Sequence, residues 1–265
     1  MGDRVGPGTG WQAELVETMM PRTAGGSRPA SSLPVAPLLY SLLAFILYLA
    51  LARRVRRQPE SSLDLAVTLR LQRLDHPLLS RLMSWVSWLG FRPQSLILPG
   101  LVVGCSWIMR RRLESLLLFL AWMASLGSFV TKLLIRRPRP RHPLVRVTLA
   151  KLRDTSYPSG HTLHYTAFWG MAAYLAASAA PWRPLRRLIA SAAATLIALV
   201  GPSRIYLGHH WLTDVLGSYL LGSAWLVGLI SLHRWLRGRR WPEELASPAA
   251  MPERARPAAL VRRSS

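Results

Sequence analysis

Three short stretches hold most of the polar chemistry that borders long apolar runs: KLLIRRPRP (Lys132 to Pro140), YPSGH (Tyr157 to His161) and SRIYLGHHWLTD (Ser203 to Asp214). In the third, His210 and Asp214 are four residues apart, so on a helix they share a face. A carboxylate placed there can keep one imidazole nitrogen protonated while the other attacks an electrophile, which is the arrangement of an activated nucleophile. Arg204 closes an apolar run, where a charge is costly without a partner or a ligand. His209 lies one position off this register and is the lesser candidate for the nucleophile. The competing interpretation is an interfacial His–Asp hydrogen bond with Arg204 snorkelling to the headgroups.

In the second stretch Ser159 precedes a helix-sized apolar run and can cap it, Gly160 allows close backbone approach, and His161 falls in the first turn. Unpaired N–H groups and the positive dipole end make such a helix start a seat for an anion. A capping serine followed by an incidental histidine would look the same. His164, one turn later, fits packing or hydrogen bonding better than catalysis. In the first stretch Lys132 and Arg139 are seven residues apart, a spacing that returns to nearly the same helical face until Pro138 and Pro140 interrupt it. Two cations could therefore point at one anion. The same basic run could equally anchor headgroups, and Arg136, Arg137 and Arg141 are expected to do so.

These stretches need elements to position them, and the chain provides apolar helices. Of 265 residues 51% are hydrophobic and 17% charged, and the apolar ones come in blocks long enough to cross a hydrocarbon core. Six candidate spans lie at about 34 to 52, 94 to 109, 115 to 135, 162 to 180, 188 to 207 and 212 to 232. The expected fold is therefore all-α: an integral membrane bundle of six transmembrane helices. Between the first two spans, Leu78, Leu82, Val86 and Leu89 repeat at helical spacing beside Arg81, Ser84 and Ser87, with Trp85 and Trp88 suited to headgroup depth. This is read as an amphipathic interfacial helix, either packed on the bundle or involved in admitting lipid.

Residues 1 to 33 and 234 to 265 are polar, basic and rich in Pro, Gly, Ser or Ala, and are expected to be poorly ordered tails around a 34 to 233 membrane domain. Arg22, Arg28 and the Ala50-Leu51-Ala52 triplet imitate a cleaved secretory signal, but the long polar lead and the length of the apolar run favour an uncleaved helix. The net charge of +22 does not indicate nucleic acid, because the arginines cluster just outside the apolar runs, where they meet anionic headgroups. Cys105 is the single cysteine, so no intrachain disulfide can form.

Counting spans places the loop between the third and fourth on the same membrane face as the loop between the fifth and sixth, whichever way the chain is inserted. Their polar residues can therefore converge. Together, Lys132-x6-Arg139-Pro140, Pro158-Ser159-Gly160-His161 and Ser203-Arg204-x5-His210-x3-Asp214 resemble the three-part signature of the type 2 phosphatidic acid phosphatase family. That superfamily also includes soluble acid phosphatases and vanadium haloperoxidases. The resemblance covers residues 35 to 233 and implies that His210 attacks phosphorus and Asp214 orients it. It further implies that His161 protonates the leaving oxygen, and that Lys132, Arg139, Ser159, Gly160 and Arg204 hold the phosphoryl oxygens.

Three fixed cations and a helix start independently suit the charge on a transferring phosphoryl group. His161, His164, His209, His210 and Asp214 could alternatively ligate a metal. Only Asp154 and Asp214 lie in or near the two loops, too few carboxylates for an oxygen-rich magnesium site, so no metal cofactor is expected. The expected partners are the bilayer and a lipid phosphate. Within the resembled family the lipid choices include phosphatidic acid, phosphatidylglycerol phosphate and undecaprenyl diphosphate, which the motifs do not distinguish. A phosphotransferase using the same phosphohistidine, or a lipid-binding or transport protein without turnover, remain alternatives. Basic residues at 110 to 112, 183 to 187 and after 233 favour a cytoplasmic location for those segments. In a bacterial-type plasma membrane the active site would then face outward, an orientation that rests as much on the resemblance as on charge.

Overall fold

The computed structural model describes residues 35–148 and 155–246. Both expected disordered tails, apart from the stretch to Ala246, lie outside the described residues, as does Asp154. Among the described residues every regular element is helical. In chain order they are α1 (Val35–Arg57), α2 (Ser62–Gln72), α3 (Pro77–Ser87) with a single 3-10 turn Trp88–Gly90, α4 (Gln94–Ile108) and α5 (Arg112–Ile135). There follow α6 (Gly160–His164 and Gly170–Ala179, joined by a π turn Tyr165–Trp169), α7 (Arg183–Tyr206) and α8 (Leu212–Ala246). α8 thus continues past the boundary expected at 233.

Among the described residues four helices are long and apolar enough to cross a membrane: Val35–Arg57, Arg112–Ile135, Arg183–Tyr206 and Leu212–Gly238. At about 1.5 Å per residue each exceeds about 30 Å of hydrocarbon. α4 is shorter, at 15 residues, with Pro99 inside it. The outer face of α1 carries Leu39, Leu42, Leu43, Ile46 and Leu49, all at least half exposed. Such a surface suits lipid, where apolar side chains gain nothing by turning inward. Its inner face packs on α8 through Tyr48, Ala52 and Val55, and Tyr48 stacks on Tyr157 at 6.0 Å between ring centroids.

The two short helices between α1 and α4 turn polar groups toward the protein. On α2, Asp64, Thr68 and Gln72 are four residues apart and all buried, while Leu63 is exposed. Gln72 Nε2 donates to the carbonyls of Arg146 (2.7 Å) and Tyr206 (2.8 Å), and its Oε1 accepts from the Arg146 amide (3.0 Å). One side chain therefore ties both active loops to α2.

α3 is found where the amphipathic period indicates a helix, but its expected apolar face does not pack as a unit. Leu78 and Leu82 point outward with Trp85, whereas Met83, Val86 and Ser87 face the bundle. The outward stripe again fits a lipid environment. The inward face grips the end of α7: Ser203 Oγ donates to the Met83 carbonyl (2.9 Å), Ser87 and Ser203 hydroxyls bond each other, and Ser80 Oγ and the Tyr206 hydroxyl are 2.8 Å apart. α3 thus fixes the turn of helix that carries Arg204.

Candidate active site

The three polar stretches converge. Lys132, Arg139, Gly160, His161, His164, Arg204, His209 and His210 line one cavity of about 380 Å³, roofed by Gly90 and Phe91 from the turn after α3. Ser159 and Asp214 are buried just behind it.

α5 supplies Lys132 in its last turn and stops at Ile135, because Arg136 takes a left-handed conformation with φ 50°. Arg139 therefore reaches the cavity from a non-helical segment and not along a continued helical face, a correction to the simple seven-residue argument. Its Nη1 donates to the His209 carbonyl (2.7 Å) and lies 3.3 Å from His210 Nε2. Lys132 Nζ donates to the Thr155 carbonyl (2.7 Å). Arg204, at the end of α7, is 2% exposed; its Nη2 donates to His209 Nδ1, while Nε and Nη1 are buried without a partner. Two buried donors of a cation left open beside a cavity are suited to anion oxygens.

α6 starts as its residues indicate. Ser159 accepts from the Thr162 amide at 3.5 Å, in the N-cap position, and His161 follows in the first turn. A Cβ on Gly160 would meet only Ser128 Oγ at 4.0 Å, so packing does not require glycine there. The His161 ring meets Phe91 edge-on (4.8 Å between centroids), a Cβ on Gly90 would overlap the ring, and Nε2 has no protein partner. His164 stacks on Phe168 at 5.4 Å, a packing role.

The two adjacent histidines differ in how they are held. Gly208, with φ 71°, lets the chain turn sharply after α7, where only glycine adopts the backbone cheaply. His209 then accepts from Arg204 at Nδ1 and donates from Nε2 to the Thr148 carbonyl, so both its nitrogens are engaged. Burial, then the charge of Arg204, pushes its pKa down to about 3. His210 donates from Nδ1 to Asp214 Oδ2 (3.4 Å), which leaves the Nε2 lone pair directed toward Arg139. Burial first, then the charges of Arg139, Lys132 and Arg204, holds its pKa well below the ordinary histidine value, so the ring is neutral.

Asp214 is saturated. Its Oδ1 accepts from Arg137 Nη1 (2.6 Å), and its Oδ2 accepts from the Trp211 amide (2.9 Å), the Ser156 hydroxyl and His210. Arg137 was expected to anchor headgroups; instead it is 1% exposed and bridges two carboxylates, with Nη2 donating to Asp64 Oδ2 at 2.7 Å. It also donates to Thr213 Oγ1 (2.6 Å) and the Pro59 carbonyl (2.8 Å). Asp64 in turn accepts from the Thr213 amide and hydroxyl, both at 2.9 Å. Sequence reasoning missed Asp64, Arg137, Gly90 and Phe91 as parts of this site; the spacing of Asp64, Thr68 and Gln72 was the available signal for the first.

Comparison with known proteins places the chain in a family. The family model described as the PAP2 superfamily matches residues 113–238, which contain every motif residue above. The chain is 30% identical over 183 residues to phosphatidylglycerophosphatase B of Bacillus subtilis, covering 67% of this chain and 87% of that protein. The chain belongs to the PAP2 superfamily. Among solved PAP2 structures, the transmembrane PAP2-type phosphatidylglycerolphosphate phosphatase from Bacillus subtilis superposes with a TM-score of 0.65 at 25% identity, covering 74% of this chain and 96% of that one. Aquifex aeolicus LpxE shares the fold at a TM-score of 0.51 and 24% identity, over 66% of this chain and 98% of its own. As a PAP2 protein with apolar membrane-length helices, the chain is a membrane phosphatase that hydrolyses phosphoric esters.

Proposed function

We propose that the protein removes the terminal phosphate of a membrane lipid, with phosphatidylglycerol phosphate as the leading substrate, through a phosphohistidine on His210 and without a metal. The observation that carries this reading is the convergence of Lys132, Arg139, Arg204, His161 and a neutral His210 on one cavity. The naming of the Bacillus subtilis relative supports the choice of lipid. Phosphatidic acid and undecaprenyl diphosphate are the next candidates.

In this mechanism His161 is protonated once the anionic phosphate sits against it; His210 Nε2 attacks phosphorus, the P–O bond to the lipid breaks, and the His161 imidazolium gives its proton to the departing oxygen. Water then attacks the phosphohistidine as His161 takes a proton back, releasing inorganic phosphate. Lys132, Arg139, Arg204 and the α6 start, with Ser159 and Gly160, hold the three equatorial oxygens as charge develops. Asp214 fixes the His210 tautomer. α4 and α6 complete a six-span domain over about 34 to 233, with the site on the extracytoplasmic face of a bacterial-type plasma membrane. The basic segments at 110 to 112 and 183 to 187 at the other end support that orientation.

The test is phosphate release by purified protein in detergent with EDTA present, from phosphatidylglycerol phosphate, phosphatidic acid and undecaprenyl diphosphate. Release should survive EDTA and be fastest with the first lipid. Loss of release in EDTA would contradict the metal-free mechanism, and a phosphorylated acceptor in place of free phosphate would mean a transferase.

Gly90 provides an independent check on His161. Because a Cβ there would overlap the His161 ring, Gly90→Ala should keep the thermal midpoint near that of the wild type yet lower turnover by about 10²-fold. Wild-type turnover in that variant would show that His161 is free to move and that its placement under the roof does not matter.

A further inference from the structure

The helices that supply the active site meet again at their far ends. α5 runs from Arg111 and Glu114 to Lys132, α6 runs from His161 past Tyr174, and α8 runs from Asp214 to His233, Arg234 and Arg237. From Asp214 to His233 is about 30 Å along α8, one hydrocarbon thickness. A cavity of about 650 Å³ lies between those ends, and its lining includes Arg111, Glu114, Tyr174, His233, Arg234 and Arg237.

Its chemistry is that of an anion seat. Among its lining residues three arginines face one carboxylate, Glu114, which pairs with Arg237 at 2.6 Å. The Arg234 guanidinium lies 5.8 Å from the Tyr174 ring centroid. Arg111 is the N-cap of the 24-residue α5 and provides no side-chain cap. His233 is 4% exposed; its Nδ1 lies 3.0 Å from the Tyr174 hydroxyl, and its Nε2 is buried without any partner. With the tyrosine donating to Nδ1, Nε2 carries the proton and is a donor lacking an acceptor.

The surroundings indicate a lipid and not a soluble anion. Immediately before Arg111 the chain exposes Trp107, Ile108 and Met109, at 55%, 80% and 66%. Arg112 stacks over Trp107 at 3.7 Å. Exposed apolar side chains beside a basic cavity at the end of membrane-length helices occupy the depth where acyl chains meet headgroups. We propose that this cavity binds the phosphate of an anionic phospholipid from the leaflet opposite the active site. The site is separate from the catalytic cavity and does not depend on the identity of the substrate.

Native mass spectrometry of detergent-purified protein with phosphatidylglycerol or phosphatidylcholine tests this, comparing wild type with the double variant Arg111→Gln, Arg234→Gln. The wild type should retain at least one more phosphatidylglycerol than the variant and no comparable phosphatidylcholine, while hydrolysis of a soluble short-chain substrate stays unchanged. Equal retention of phosphatidylglycerol by both proteins, or equal retention of the two lipids by the wild type, would overturn the proposal. Displacement of the retained lipid by millimolar inorganic phosphate would overturn the lipid assignment in favour of a soluble anion. Should the double variant fail to fold, Glu114→Gln decides: freeing Arg237 should raise phosphatidylglycerol retention, and unchanged or lower retention would count against the site.

Discussion

Replacing His210 with alanine should lower phosphate release by about four orders of magnitude or more while the protein still folds. The effect is large because no neighbouring group can substitute. His209 has both nitrogens committed, one to Arg204 and one to the Thr148 carbonyl, and His164 is stacked on Phe168. Only His210 has a neutral ring with Nδ1 held by a carboxylate and Nε2 turned to Arg139. Detergent-solubilised wild type and His210→Ala should share a thermal midpoint and differ in turnover. Residual turnover within about ten-fold of wild type would place the nucleophile elsewhere.

The second large effect is on stability. Arg137→Ala should destabilise the protein by about 3–5 kcal/mol, because it leaves two buried carboxylates, Asp64 and Asp214, without their shared cation. Asp214 would keep its bonds from Ser156, Trp211 and His210, but a net negative charge in a buried site would remain. Arg136→Ala, one residue away on an exposed side chain, should change the thermal midpoint little. Anchoring of headgroups by both arginines predicts equal, small effects, so the pair of variants separates the two roles. Thermal unfolding in one detergent at one pH, with turnover recorded in parallel, makes the comparison.

These two residues show what the sequence made legible. His210 and Asp214 are four apart beside an apolar run, but His210 lies in the bend before α8, which starts at Leu212, so the two meet across a helix start and not along one helical face. The convergence of the motifs followed from counting spans, since loops two spans apart share a face. Arg137 was hidden because a run such as RRPRPR has the composition of a headgroup anchor, and only tertiary packing distinguishes the buried arginine from its neighbours. Asp64 was hidden for a related reason. On α2 the polar stripe Asp64, Thr68 and Gln72 faces the protein, the reverse of a water-soluble helix, because the outer surroundings are apolar and the inner partners are polar loops. On α3 Leu78, Leu82 and Trp85 likewise face outward, while Met83, Val86 and Ser87 face the bundle. Apolar runs are easily seen, the short α4 at Gln94–Ile108 among them, but the π turn at Tyr165–Trp169 has no counterpart in residue periodicity.

The roof over His161 belongs to the same class of hidden feature. Gly90 and Phe91 are about seventy residues away in sequence and carry no catalytic chemistry, yet they fix the histidine ring and cover Arg204, whose guanidinium sits 5.1 Å from the Phe91 ring centroid. Nothing in a glycine followed by a phenylalanine announces that task.

The proposed reaction passes through a covalent phosphohistidine on His210. Its most direct measurement is rapid quenching of the enzyme during turnover of lipid labelled in the scissile phosphate, under alkaline conditions that preserve phosphohistidine, followed by peptide mapping. An acid-labile, alkali-stable phosphoryl group should appear on the peptide carrying His210 and be absent in His210→Ala. Label on another residue, or full turnover with no labelled enzyme at any quench time, would contradict it.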